Sequence, residues 1–550
     1  MQHSRVANRR LANRLFRCFT VGPLLVLWLA ACQPEIAKHE TAAPAVKDER
    51  PNIIFLLTDD QRADSLSIAG HPFSQTPNID ELARQGVRYT NAFTVEPICA
   101  PSRFAFLSGQ YERTSGLGFN SPYQVSQSQW QATYPALLRE AGYHTGFIGK
   151  FGVQYYTFDG GAPAQFDYWK AHDGWLPFFP KDLKQNPATA IYQDAEHDIT
   201  TEIMGEAIDE FLAKRDKGVP FNLSVSFSAP HNSLVSSMYP EGAAEDCDNY
   251  ACRVMGYPAN DNPKLSNHRV YDELYRDIGV EISPDTGRDP YRFIPDGVID
   301  HEARQKWYAY NYDPNLQPEH LIRYHQAVTG VDRVVGELVA ALEAEGIDDN
   351  TIIIFSSDHG LLNGEYGTGG KGLLYDLVTN IPLVVYDPRD TKRGFENSDL
   401  VLSIDVPATI LGLADIEPPA SMEGRDLNAG AAPRDAVFLE SLTVAEGNPF
   451  IEAVRTQDWK YVRYLEPSGC PYDESHLDFS DANVLYEQLF DLREDPGERT
   501  NLIAESQYEA KLATLRARTE TLSIEQTRRG LAFKAAQPVP LRSSDGSYCW

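Results

Sequence analysis

Glu96-Pro97-Ile98-Cys99-Ala100-Pro101-Ser102-Arg103-Phe104-Ala105-Phe106-Leu107-Ser108-Gly109 is the stretch on which the reading of this chain turns. Pro101 and Ser102 suit the first turn of a helix, where proline's missing N–H costs nothing. Cys99 then lies just before that turn, where unpaired N–H groups and the helix dipole favour negative charge. Arg103 falls in the first turn, and its guanidinium can fork onto oxyanions. A bare Cys-x-Pro-x-Arg fits an ordinary buried thiol at a loop–helix junction better than a reactive one. The surrounding sequence decides between the two.

Outward from this segment, short apolar strands alternate with helices. The patterns predict strands at 52–58, 88–93, 145–148, 222–227 and 351–356, and helices at 79–85, 101–107, 135–140, 202–214 and 321–345. Ile352-Ile353-Ile354-Phe355 has no polar alternation, which is the mark of a parallel strand covered on both faces. The prediction is a layered α/β fold with its sites beyond the carboxyl ends of the strands. Polar clusters stand at four such ends: Thr58-Asp59-Asp60, Lys150, Ala229-Pro230-His231 and Ser357-Asp358-His359-Gly360. From about residue 434 the pattern changes to β-like segments at 437–440, 452–456 and 460–464 and a helix at 508–522, a small α+β unit. The expected organisation is 1–31 leader, 32–50 tether, 51–432 catalytic domain and 433–550 C-terminal subdomain. The loop-rich interval 232–317 exceeds ordinary connections and is expected to shape a cleft.

Two adjacent acids ending a buried strand repel each other unless a cation bridges them. Asp-Asp alone is usually a turn, but Asp59 and Asp60 paired with Asp358 and His359 at another strand end point to a metal. The oxygen-rich set favours Ca²⁺ or Mg²⁺, although the imidazole suits softer ions.

The N-terminus carries Arg5, Arg9, Arg10, Arg14 and Arg17 before a short apolar run, 21–31, that is too brief for a membrane anchor. Leu29-Ala30-Ala31-Cys32 resembles a bacterial lipobox, which implies cleavage before Cys32 and lipidation of its thiol. The expected location is extracytoplasmic, in the periplasm or at the outer membrane or cell surface, with the membrane touched only through the lipid. Of seven cysteines, Cys247, Cys252, Cys470 and Cys549 remain as an even set of disulfide candidates, whose pairing three schemes satisfy. The net charge of −29 and pI of 4.8 argue against a nucleic-acid partner.

The segment around Cys99 closely resembles the first signature of the type I sulfatases of the alkaline phosphatase superfamily, with Ser108 where threonine is commoner. Gly142-Tyr143-His144-Thr145-Gly146-Phe147-Ile148-Gly149-Lys150-Phe151-Gly152 resembles the second, and the likeness runs from about Asn52 to Leu502. Tyr486-Glu487-Gln488-Leu489-Phe490-Asp491-Leu492 looks like a stretch of the family's C-terminal subdomain. The resemblance implies an alkaline-phosphatase-like α/β fold, a mixed, mostly parallel sheet sandwiched by helices, with a smaller α+β subdomain. It implies oxidation of Cys99 to formylglycine by a maturation enzyme, giving an aldehyde hydrate as nucleophile. Asp59, Asp60, Cys99, Asp358 and His359 are carried over as metal ligands, with Ca²⁺ expected. Arg103, Lys150 and Lys371 correspond to groups that hold the sulfate oxygens, Lys371 lying in Gly369-Gly370-Lys371-Gly372-Leu373-Leu374-Tyr375-Asp376. His231 corresponds to the acid that protonates the leaving alcohol.

One position departs from the pattern. The family commonly has histidine two residues after the signature lysine, and this chain has Gly152. A group in the loop 154–159 taking that role is one reading, and a branch that works without it is the other. The expected activity is hydrolysis of sulfate esters on a sulfated carbohydrate. The alternatives are a formylglycine-dependent phosphodiester or phosphonate monoester hydrolase, or a catalytically impaired glycan-binding surface lipoprotein.

Overall fold

The strands predicted at 52–58, 145–148, 222–227 and 351–356 join one eight-stranded sheet in the computed structural model. The predicted strand 88–93 is split: residues 87–89 stay in that sheet and residues 92–93 pair with residues 401–402 in a second, two-stranded one. The structure describes residues 49–119, 125–153, 160–172, 174, 187–231, 274–308, 312–314, 317–390, 394–442, 448–466, 479 and 482–535. Cys32, Cys247, Cys252, Cys470, Cys549 and the loop 154–159 fall outside the described residues. In chain order the strands are β1 (Asn52–Thr58), β2 (Val87–Tyr89), β3 (Ala92–Phe93), β4 (His144–Lys150), β5 (Tyr168–His172), β6 (Phe221–Ser226), β7 (Thr351–Ser357), β8 (Leu362–Asn363), β9 (Gly369–Gly370), β10 (Leu383–Tyr386), β11 (Phe395–Asn397), β12 (Val401–Leu402), β13 (Ala436–Ser441), β14 (Phe450–Thr456), β15 (Trp459–Leu465) and β16 (Val484–Asp491).

The large sheet has the order β11-β2-β10-β7-β1-β6-β4-β5, and only β10 runs against the rest. β1 lies near its middle and is buried on both faces. Ile54 and Leu56 pack with Met204, Ile208, Phe211, Val331, Val335 and Leu338 of helices Thr200–Lys214 and Gln317–Glu345. Ile53, Phe55 and Leu57 face the opposite layer, where Phe104, Phe106, Tyr134, Leu138 and Ile410 lie. Each such side chain contributes about 1.5–3 kcal/mol by leaving water, so register is held from both sides.

The C-terminal strands form an antiparallel sheet, β13-β14-β15-β16. Phe438, Leu439, Ile451, Val454 and Tyr461 share a core with Phe93, Val95, Ala105, Leu374 and Val378. Helix Glu509–Ala535 lies against β14, and the fully buried Arg113 joins the parts by pairing with Glu440 at 3.1 Å and Glu452 at 2.6 Å. Among the described residues, no helix is long and apolar enough to cross a membrane.

Candidate active site

β7, β1, β6 and β4 are consecutive parallel neighbours, so their carboxyl ends open on one region. That adjacency brings Asp358, Asp59, His231 and Lys150 together from four distant parts of the chain.

Cys99 enters from above the sheet. Its helix, Cys99–Ser108, starts at the cysteine itself, with Ile98 as the extended N-cap, two residues earlier than Pro101 suggests. The Ser102 N–H donates to Ile98 O at 3.0 Å, which closes the first turn. Gly109 ends the helix at φ +68°, a left-handed conformation that glycine adopts at little cost. The Ser102 hydroxyl donates to the Asp358 carbonyl at 2.6 Å and thereby ties the helix start to the end of β7. The thiol is buried at the positive end of the helix dipole. Burial alone would raise its pKa, but the Lys150 and Lys371 ammoniums hold it well below the usual thiol range.

The two lysines sit on different acids. Lys371 Nζ donates to Asp60 Oδ1 at 2.8 Å and to Cys99 Sγ at 3.1 Å, and lies 3.2 Å from His231 Nε2. Lys150 Nζ pairs with Asp59 Oδ2 at 2.5 Å. The Lys371 loop is fixed from below by the fully buried Arg304, whose guanidinium donates to the carbonyls of Gly369 and Lys371 at 3.1 and 2.8 Å.

Arg103 faces the carboxylates. Its Nη2 lies 3.2 Å from Asp59 Oδ2 and 2.9 Å from Asp358 Oδ2, while Nη1 donates to the Lys150 carbonyl at 3.0 Å and to the Ser226 hydroxyl. In this arrangement the guanidinium spans the acids of β1 and β7 and the end of β4.

Asp59 and Asp60 are fully buried. Burial opposes their charge. Lys150, His231, Arg103 and Lys371 nevertheless hold Asp59 well below the usual carboxylate range, and Lys371 and His231 lower Asp60. Asp60 adopts φ +64°, a strained conformation for a residue with a side chain. Its N–H donates to Asp358 Oδ1 at 3.1 Å, and its carbonyl accepts from the Tyr324 hydroxyl at 2.8 Å. Burial and the neighbouring Asp59 charge push Asp358 up to about 6, while Asp358 draws His359 up to about 9 against its own burial.

Ligand atoms of Asp59, Cys99, Asp358 and His359 lie within 4.8 Å of one another, as do those of Asp59, Asp60, Cys99 and His231. Asp60 Oδ2 and His359 Nε2 are buried without a hydrogen-bond partner. Three carboxylates and an imidazole with such orphaned atoms fit a divalent cation. The cluster includes every residue carried over as a metal ligand.

Gly152 has a structural reason. It turns at φ +69°, and a Cβ there would stand 2.7 Å from Arg103 Cδ and 3.6 Å from Lys150 Cε. The Arg103 side chain occupies the space where another residue would place its Cβ. Sequence reasoning missed Ser226 and Arg304, which hold Arg103 and Lys371, and His172, the register partner of Lys150 across β4 and β5. None of the three sits in a recognisable motif.

The comparisons with known proteins agree with this geometry. The family model described as Sulfatase matches residues 51–416, and that of the C-terminal part of N-sulphoglucosamine sulphohydrolase matches residues 364–525. The N-acetylglucosamine-6-O-sulfatase of Bacteroides thetaiotaomicron is 27% identical over 533 residues, covering 89% of this chain and 88% of that protein. The ulvan-active sulfatase of Formosa agariphila is 26% identical, covering 84% and 82%. A solved structure of a protein in complex with its substrate D-glucosamine-2-N,6-O-disulfate superposes with a TM-score of 0.61 at 23% identity, covering 89% of this chain and 99% of that one. The phosphonate monoester hydrolase of Silicibacter pomeroyi gives 0.65 at 19% identity, covering 88% and 97%, so the architecture alone does not separate the two chemistries. The family match, spanning most of the chain, does: this protein belongs to the sulfatase family, the hydrolases of sulfuric esters.

Proposed function

We propose that the chain removes sulfate from a sulfated carbohydrate, using a nucleophile made from Cys99. The observation that carries this reading is the convergence of Lys150 and Lys371 on Cys99, with His231 Nε2 3.2 Å from the Lys371 ammonium. A sulfate ester seated over residue 99 would meet two ammonium donors and the His231 imidazole. The sugar is inferred from the printed activities of relatives similar over most of the chain.

Oxidation of residue 99 to formylglycine supplies an aldehyde hydrate in place of the thiol. Asp59, Asp60, Asp358 and His359 would hold the cation, Ca²⁺ in this reading, which when bound supplies Lewis acidity. Lys150 and Lys371 bind the non-bridging sulfate oxygens and offset the charge that develops on them. His231 gives its proton to the departing alcohol oxygen. Arg103 keeps Asp59 and Asp358 oriented and ionised. We also propose that the protein is exported and anchored through lipid on Cys32, a reading supported by the leader sequence.

The test is turnover by protein co-expressed with a formylglycine-generating enzyme. Expected is sulfate release from 4-nitrophenyl sulfate and from a panel of 6-O- and 2-O-sulfated amino sugars and uronates, with residue 99 lighter by the exchange of SH₂ for O. Faster turnover of a phenyl phosphonate monoester than of every sulfate would overturn the assignment. So would full sulfatase activity with an unmodified thiol.

A further inference from the structure

The glycine at 152 leaves open which histidine, if any, serves that side of the site. The sheet register supplies one. His172 ends β5 as the partner of Lys150, so in this parallel pair both side chains leave the same face. The Phe151 N–H donates to the His172 carbonyl at 2.8 Å, so the turn carrying Gly152 is fastened to this residue. The imidazole is buried, and burial together with the Lys150 and Arg103 charges keeps it neutral, its pKa well below the usual histidine range.

Its tautomer follows from its neighbours. Nδ1 lies 2.6 Å from the hydroxyl of Tyr192, a fully buried phenol whose pKa is raised, chiefly by burial. The phenol keeps its proton and needs an acceptor, and among the described residues Nδ1 is the one within reach. That leaves the imidazole proton on Nε2, which faces the Ser228 Oγ at 3.5 Å. Ser228 opens the turn that carries His231: the His231 N–H donates to Ser228 O at 3.1 Å, and Ala229 O accepts from the Asp59 N–H at 3.1 Å.

We propose that His172 is a positioning residue of this active site, set by Tyr192, steadying through Ser228 the turn that presents His231 while packing beside Lys150. The role falls to β5 because Gly152 has no side chain to offer. The inference rests on the reading of His231 as the proton donor.

That dependence dictates the test. Proton donation matters more as the leaving alcohol becomes a poorer leaving group, so the probes are 4-nitrophenyl sulfate and phenyl sulfate. Purified, formylglycine-containing wild type, His172→Ala, His172→Gln, Tyr192→Phe and His231→Ala are compared, each first checked by thermal melting. For His172→Ala, kcat on phenyl sulfate should fall about 100-fold and on 4-nitrophenyl sulfate about 10-fold, with KM nearly unchanged. His172→Gln places a side-chain N–H near Nε2 and should recover most of the loss. Tyr192→Phe keeps its ring in place and should show a weaker form of the same pattern, and it decides the matter if His172→Ala does not fold. A wild-type phenyl-to-nitrophenyl ratio in the His172 and Tyr192 variants, with an altered ratio in His231→Ala, overturns the proposal and leaves the His231 reading standing. An unchanged ratio in all of them, His231→Ala included, overturns both.

Discussion

Replacing Gly152 by histidine would restore the residue that sulfatases commonly carry there, and the structure predicts that it damages the enzyme. Two costs add. A non-glycine residue at φ +69° pays roughly 1–2 kcal/mol in backbone strain, somewhat less for histidine than for a branched residue. The new Cβ also stands 2.7 Å from Arg103 Cδ, so one of them must move by several tenths of an ångström. A free arginine would swing aside, but Arg103 is held by Asp59, Asp358, Ser226 and the Lys150 carbonyl. Overpacking of this kind costs about 1–3 kcal/mol, giving roughly 2–5 kcal/mol in all.

The activity loss follows from where the strain goes. Arg103 pushed off its partners disturbs Asp59 and Asp358, and misplacement of order 1 Å in such a constellation costs about 100-fold. The measurements are a thermal melt and kcat/KM on 4-nitrophenyl sulfate for Gly152→Ala and Gly152→His. Alanine isolates the backbone and Cβ terms, so both variants should melt early and turn over slowly, histidine no better than alanine. A Gly152→His protein with wild-type melting and equal or higher kcat/KM would refute the reasoning.

Chelation by EDTA should abolish turnover and lower the melting temperature, because a ligand at 100 times its Kd stabilises by about 2.7 kcal/mol; Ca²⁺ should restore both better than Mg²⁺, and a chelated enzyme with full activity would remove the cation from the mechanism. Burial pushes Glu440 up to about 7 despite Arg113. The folded state therefore binds more protons than the unfolded one between about pH 4.5 and 7, and wild type should lose up to about 3 kcal/mol relative to Glu440→Gln as pH rises through that window, read as the difference between two denaturant series. A difference that is flat or opposite in sign would contradict the burial argument. Lys460 is fully buried, 2.8 Å from both Asp376 and Glu498. Lys460→Met should cost about 3–5 kcal/mol, more at pH 8 than at pH 6 because Glu498, pushed up by burial to about 7, can take a proton at the lower pH.

The parallel core was legible because strands such as β1 and β7 are apolar on both faces, so a polar pair at their ends stands out. Helix boundaries were less so. Ile98 makes no side-chain cap, and Cys99 and Ala100 carry no start signal, so Pro101 looked like the first helical residue when it is the third. Helix Glu509–Ala535 runs well past Leu522 through Gly530, where a Cβ would meet the Arg113 carbonyl at 2.4 Å; packing against a distant segment, not local propensity, selects that glycine. β16 is recognisable as a family-like stretch, but its pairing with β15 depends on a hairpin partner. Ser226, Arg304 and His172 were silent for the same reason: each acts through register or through a loop far away in sequence. The direction of Arg103 was equally hidden, since a guanidinium beside a nucleophile could turn to substrate or to acids, and only the strand order decides.

That orientation bears on how an acidic protein binds an anion. Asp59, Asp60 and Asp358 face Arg103, Lys150 and Lys371, so these six buried charges cancel, and His359, drawn up to about 9, leaves the cluster only slightly positive. So small a charge in a chain of net charge −29 gives the pocket little pull of its own on a sulfate ester. Held by Asp59, Asp60, Asp358 and His359, of which the imidazole must give up its proton to ligate, a divalent cation would make the pocket more positive. Its field would act where it matters, since the charge of the surface is screened within about 8 Å at physiological salt. Lys150 and Lys371 then have less need to stay on Asp59 and Asp60 and can turn to the sulfate oxygens. A bound cation would thus do two things at once: it would give the pocket most of its positive charge, and it would free the lysines to bind.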